Sequence, residues 1–210
     1  MSGSDLFSQP GRGIEWLELG ASRLGILNGF VENHWTLYQQ FCDELDWQQP
    51  SVRLYGKSHP VPRLTAFYGD DGVEYRYSGL THRASGWPAT LQDTHKRIDS
   101  LLKTGFNTVL LNRYRDGNDT MGFHADDEAS LGSNPLIASV SVGAERRFVI
   151  KPRHNKTKDR RELVLRGGSL LIMAGAFQSE WLHGVPADKN QKLIQRLSEN
   201  FAEGVLELVA

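Results

Sequence analysis

The chain has 210 residues, 39% of them hydrophobic, and a formal net charge of −1. That length and core content support one globular domain, and the balanced charge excludes a polyanion binder driven by overall charge. A single cysteine, Cys42, rules out an internal disulfide or a thiolate zinc cluster, so a reducing, intracellular setting is expected, cytoplasmic in a bacterium or nuclear in a eukaryote.

Residues 1–13 are rich in Ser, Gly and Pro and read as a flexible tail, with no apolar stretch that would serve as a secretion leader. No run of about 18 apolar residues occurs, so no membrane association is expected, and the expected state is a monomer. From Asn33 to Leu45, Trp35, Tyr38, Phe41, Cys42 and Leu45 recur at helical spacing and mark one buried face. A second helix is predicted from Pro88 to Lys103, with Leu91, Ile98, Leu101 and Leu102 apolar and Gly105 as its stop.

After Thr108 the pattern shifts to short β-rich runs: 108–113, 136–142, 147–151, 162–165, 169–173 and 181–185. Helices therefore precede strands instead of alternating with them, which favours a mainly β fold, a sandwich or jelly roll with helices flanking one side. Such a fold has an open mouth where side chains from distant strands converge.

His124-Ala125-Asp126 and the distant His183, in Trp181-Leu182-His183, offer two imidazoles and one carboxylate. On one face of an octahedral Fe(II) these leave three positions open, which oxygen and a chelating co-substrate can share. With seven histidines, about one accidental His-x-Asp or His-x-Glu is expected, so the pair alone carries no weight, and a lone imidazole such as His183 on an apolar strand face is more often a core histidine. Rival signatures are missing: no His-Glu-x-x-His, Cys-x-x-Cys, P-loop or nucleophile elbow occurs. Asp126-Asp127-Glu128 suits Mg²⁺ in isolation, but two histidines favour a softer ion. Between Arg146 and Arg166, nine of 21 residues are Lys or Arg against Asp159 and Glu162, a local basic strip that reads equally as phosphate contact or as a solvated loop.

Longer stretches are more specific. Leu111-Asn112-Arg113-Tyr114-Arg115-Asp116-Gly117, His124-Ala125-Asp126-Asp127-Glu128, Ile137 to Gly143 and Arg147-Phe148 closely resemble the AlkB family of Fe(II)/2-oxoglutarate dioxygenases. Tyr55-Gly56-Lys57, Pro62-Arg63, Tyr68-Gly69-Asp70 and Tyr75-Arg76-Tyr77-Ser78-Gly79-Leu80 look most like its subgroup that repairs alkylated bases in duplex DNA. The resemblance runs from about Val52 to Phe201. It implies a double-stranded β-helix (jelly-roll) catalytic core over 108–210, with helical support and an N-terminal nucleotide-recognition lid over 14–107.

The resemblance further assigns His124, Asp126 and His183 to Fe(II), and Asn112, Tyr114, Arg196 and Asn200 to 2-oxoglutarate, with O₂ as second co-substrate. Arg196 opens the C-terminal motif, where Ser198, Asn200 and Ala202 depart from the family pattern. Ala202 replaces a second arginine there, which would cost about 1.5–3 kcal/mol of co-substrate affinity. Tyr55, with Gly56 and Lys57, matches a finger that fills the stack vacated by a flipped base. Tyr75, Arg76 and Tyr77 match contacts to that base, although both tyrosines read equally well as sheet core. Asp127 is expected at the base amino group, or bracing its loop, and Arg153 at the phosphates. The activity implied is demethylation of 1-methyladenine and 3-methylcytosine in DNA, releasing formaldehyde, succinate and CO₂. The alternatives are an RNA demethylase and, given Ala202, a catalytically weak nucleic-acid-binding relative.

Overall fold

The computed structural model describes residues 13–54, 56–77, 80–154, 159–188 and 204–209. Two antiparallel sheets face one another. The larger has seven strands in the order β1 (Glu15–Leu19), β2 (Ser22–Leu27), β13 (Leu170–Gly175), β10 (Ile137–Val142), β15 (Gly204–Val209), β8 (Thr108–Arg113) and β5 (Leu64–Gly69). The smaller orders β12 (Arg161–Leu165), β11 (Arg146–Pro152), β14 (Trp181–Val185) and β9 (Met121–His124). From β8 onward the chain crosses between the sheets: β8, β10, β13 and β15 lie in the large one, and β9, β11, β12 and β14 in the small one. This is the jelly roll expected from the strand pattern, with every pairing antiparallel.

The large sheet is covered on both faces, and its sequence shows it. Leu24, Ile26, Leu110, Ile137, Leu171 and Met173 point into the sandwich, against Phe148, Ile150, Leu163 and Phe177. Their strand neighbours Val109, Leu111, Ala138, Val140, Leu170 and Ile172 point the other way, under the helices α1 (His34–Glu44) and α2 (Ala89–Leu102). A strand buried on both sides loses polar alternation, which is why β10 is buried at all six positions. The inner face of β10 nevertheless carries Ser139 and Ser141, both buried, so the sandwich is not wholly apolar.

Both helices lie within one residue of the sequence expectation at each end, and α2 closes on Lys103 in the left-handed conformation, two residues before Gly105. Two of the expected buried positions are exposed: Trp35 at 38% and Leu101 at 40%. At 3.6 residues per turn, Trp35 lies roughly 90° and Leu101 roughly 50° from the centre of its helix's buried face. Contrary to the helix-first expectation, the residues before Thr108 hold seven strands. β1, β2 and β5 extend the large sheet, and four shorter strands form two hairpins, β3 (Ser51–Leu54) with β4 (Lys57–Pro60) and β6 (Glu74–Tyr77) with β7 (Leu80–Arg83). At four residues each, these strands are too short for their alternation to stand out in the sequence.

Ile98→Ala, emptying a site at the centre of the helix–sheet core, should lower unfolding free energy by about 2–5 kcal/mol. Leu101→Ala on the exposed side of α2 should stay within about 0.5 kcal/mol. Urea denaturation of both variants checks the contrast.

Candidate metal centre

His183 stands opposite His124 where β14 pairs with β9, and Val185 stands opposite Met121. Two steps along β14 therefore match three along β9, which marks a β-bulge at Gly122 and Phe123. The extra residue decides which way His124 faces. Side chains alternate along a regular strand, so a residue three positions from the buried Met121 would point outward. The bulge absorbs one position: Gly122 and Phe123 are both exposed, and His124 turns inward beside His183. Phe123 lies on the outer surface, with the Lys151 ammonium 4.1 Å from its ring centre.

Gly184 makes the close approach possible. A Cβ at this position would lie 2.9 Å from the Met121 carbonyl oxygen and 3.2 Å from the Gly122 carbonyl carbon, both backbone atoms. Any larger residue would push β14 away from β9.

Asp126 lies beyond the end of β9, and its carboxylate turns back to both histidines. Oδ1 is 3.5 Å from His124 Nε2, and Oδ2 is 3.4 Å from His183 Nε2. One ligand atom from each of the three residues falls within 4.8 Å of the others. The imidazoles lie 4.2 Å apart between ring centres, and Phe148 stacks on His183 at 5.5 Å. Burial alone would disfavour the Asp126 carboxylate, but His183 and His124 outweigh it and hold the carboxyl below its ordinary value.

His183 is fully buried; among the described residues its Nε2 meets only the Asp126 carboxylate, at 3.4 Å without good hydrogen-bond geometry, and its Nδ1 has no hydrogen-bond partner. A buried imidazole so poorly satisfied carries a desolvation cost that a further partner would offset. A divalent cation between the three residues supplies that partner. Two nitrogens and one carboxylate on one side of the ion suit Fe(II) with open positions. The residues present thus fit the metal expected from the sequence.

Asn112 and Tyr114 are both fully buried, with Asn112 on the inward-facing parity of β8 shared with Leu110 and Tyr114 packed into the same core just past its end. Asn112 Oδ1 accepts a 2.7 Å hydrogen bond from Nε of the buried Arg63. Asn112 and Ser141 stand in one cross-strand row, each opposite Val205 of β15. The Arg146 guanidinium packs 5.2 Å from the Tyr114 ring centre and donates to the carbonyls of Asp116, Asp119 and Pro186.

The basic strip is less available than its composition suggested. Arg146 is buried, Arg160 and Arg147 both reach Glu162, Arg161 reaches Asp159, and Arg153 pairs with Asp127 at 2.6 Å. Two expected substrate contacts, Asp127 and Arg153, thus face each other. The strip spans the β11–β12 hairpin, with Lys156 and Lys158 outside the described residues.

Gly56 adopts φ +80° beside the Leu54–Lys57 pair that closes the first hairpin, and Lys57 is exposed. That hairpin is tied close to the centre, because the Thr120 amide, immediately before β9, donates to the Pro62 carbonyl just after β4. Tyr75, Arg76 and Tyr77 lie on β6 opposite His82, Thr81 and Leu80. Tyr55, Arg196, Ser198, Asn200 and Ala202 lie outside the described residues. Sequence reasoning missed the bulge, Gly184, the Arg63 bond to Asn112 and Gln178, whose side chain meets the Asp126 amide. Only Gly184, beside a candidate ligand, offered a local signal.

Gly184→Ala should leave the protein folded and weaken divalent-ion binding by about tenfold or more, as expected when the support of a ligand is disturbed. Titration with Co(II) under anaerobic conditions, with circular dichroism as the folding control, measures this.

The sequence profile of the 2OG-Fe(II) oxygenase superfamily matches residues 24–202. Alpha-ketoglutarate-dependent dioxygenase alkB homolog 3 of Mus musculus is 39% identical over 184 residues, covering 82% of this chain and 63% of that protein. DNA oxidative demethylase ALKBH2 of Bos taurus is 36% identical over 198 residues, covering 86% and 71%. The chain thus spans a little over six-tenths of the length of the mouse relative and about seven-tenths of the bovine one. A solved structure described as that of OsALKBH1 superposes with a TM-score of 0.63 at 14% identity, covering 93% of this chain and all of the other, which supports the fold. With an inward-facing His-Asp-His cluster on a jelly roll and this match over most of its length, the chain belongs to the 2OG-Fe(II) oxygenase superfamily and, within it, to the AlkB homologues.

Proposed function

We propose that this protein uses Fe(II), 2-oxoglutarate and O₂ to remove methyl groups from damaged bases in DNA, with 1-methyladenine and 3-methylcytosine as substrates. The observation that carries this reading is the convergence of the buried His183 with His124 and Asp126 at the edge of the sandwich, one ligand atom of each within 4.8 Å of the others. Similarity to a DNA oxidative demethylase supports the choice of substrate.

His124, Asp126 and His183 hold the metal. Asn112 and Tyr114, on the inner side of the large sheet, hydrogen-bond 2-oxoglutarate, with Arg196 on its distal carboxylate and Asn200 in the same motif. The guanidinium fork binds a carboxylate through two parallel hydrogen bonds. The chemistry supplied when metal, co-substrate and oxygen are bound is hydroxylation of the N-methyl carbon, with 2-oxoglutarate converted to succinate and CO₂ and the hydroxylated methyl lost as formaldehyde.

The rest of the work is positioning. A base inside a duplex is out of reach, so it must leave the stack, at a lower cost when methylation has already weakened its pairing. Tyr55, with Gly56 and Lys57 on the first hairpin, fills the gap; Tyr75, Arg76 and Tyr77 on β6 receive the base. Asp127 and Arg153 neutralise each other without substrate. Half-exposed ion pairs contribute only about 0–1 kcal/mol. A base amino group arriving at Asp127 and a phosphate at Arg153 therefore separate them at little cost.

Incubation of a 1-methyladenine duplex with protein, Fe(II), 2-oxoglutarate and ascorbate should release formaldehyde, and His124→Ala should not. Equal release from both would defeat the assignment. Tyr55→Ala should lose more activity on duplex than on single-stranded DNA, and matching RNA oligonucleotides in the same assay separate a DNA from an RNA substrate. Ala202→Arg should lower the half-saturating 2-oxoglutarate concentration by roughly tenfold or more, the equivalent of about 1.5–3 kcal/mol, in a succinate assay.

A further inference from the structure

Asp126 is held differently from the two histidines. His124 and His183 sit in paired strands, whereas β9 ends at His124 and Asp126 has no strand partner. Its main chain is fixed from elsewhere: the Asp126 amide donates to Gln178 Oε1 at 3.0 Å. Gln178 is 1% exposed and lies in the single turn α3 (Phe177–Glu180), which leads directly into β14 and His183.

The amide can face only one way. Its Nε2 lies 3.7 Å from the Met173 thioether sulfur, a weak acceptor, and a flip would set an NH₂ against the Asp126 N–H, donor against donor. The same residue holds the next position too. Its carbonyl accepts from Arg153 NH1 at 3.2 Å, and that nitrogen is 2.6 Å from Asp127 Oδ2. A glutamine buried this deeply requires hydrogen bonds to offset the loss of water; its side-chain oxygen and main-chain carbonyl both serve the turn carrying Asp126, and its NH₂ is anchored on Met173 of β13.

We infer that Gln178 is a positioning residue for the metal centre. It supplies to Asp126 the backbone acceptor that the sheet does not, and it couples the carboxylate ligand to the strand bearing His183. The inference rests on the reading of His124, Asp126 and His183 as metal ligands.

The test compares wild type, Gln178→Met and Gln178→Glu by anaerobic Co(II) titration, with apo-protein melting curves alongside. Methionine keeps the length and removes the acceptor; glutamate keeps an acceptor. Gln178→Met should bind Co(II) about 10–100-fold more weakly, the usual effect of losing a group that orients a ligand. Gln178→Glu, which keeps the acceptor, should bind Co(II) clearly more tightly than Gln178→Met, although a buried carboxyl lowers its own melting temperature. Wild-type affinity in the methionine variant, or equal losses in both, would overturn the inference. Amide exchange in the wild-type apo protein gives a second measure without mutation. The Asp126 amide should exchange more slowly than those of Ala125 and Asp127, and equal rates would overturn the role of Gln178. If wild-type protein bound no Co(II), or His124→Ala bound it equally well, the metal-site reading itself would fail, whatever the exchange rates show.

Discussion

One extra residue in β9 determines the chemistry of this protein. With β9 and β14 in a regular ladder, Met121 and His124 would lie on opposite faces, and burying one would expose the other. The bulge at Gly122 and Phe123 removes that conflict, so a hydrophobic residue and a metal ligand share the interior face. Gly184 answers it from the opposite strand by letting the backbones approach. Neither His183 nor Asp126 would converge on His124 without this irregularity, and the local ladder hydrogen bonding it disrupts is the cost of the site.

The two cores divide the remaining work. Helices α1 and α2 cover the outer face of the large sheet with a continuous apolar layer, so its strands are anchored from behind. The inner face is then free to carry polar residues, and it does: Asn112, Ser139 and Ser141 are all buried there. The interior of the sandwich thus holds polar groups as well as a hydrophobic core, in keeping with the proposed uptake of a dicarboxylate. No helix among the described residues is long and apolar enough to cross a membrane.

The sequence disclosed what periodicity controls. The β8 and β14 boundaries fall where the β-rich runs 108–113 and 181–185 lie, and both long helices follow from the spacing of Tyr38, Phe41, Leu91 and Ile98. The hairpins β3–β4 and β6–β7 were hidden because four residues are too few for an alternation to stand out. Two residues apart, His124 and Asp126 have the spacing of one face of a strand. In the structure Asp126 lies beyond the strand, so their convergence comes from a turn held by Gln178, which no spacing rule describes. The basic strip was visible as composition, with Asp159 and Glu162 beside Arg161 and Arg160, but the partners of Arg146 and Arg153 are distant in sequence and set by the fold. Charge counts record residues, and only geometry records which charges are already satisfied.

The central claim is that these three side chains form one iron site with two histidine ligands. X-ray absorption at the iron edge of protein reconstituted anaerobically with Fe(II) addresses it directly. The account predicts one iron per chain with two imidazole ligands, one of them lost in His183→Ala. A spectrum without imidazole scattering, or one unchanged by that substitution, would contradict it.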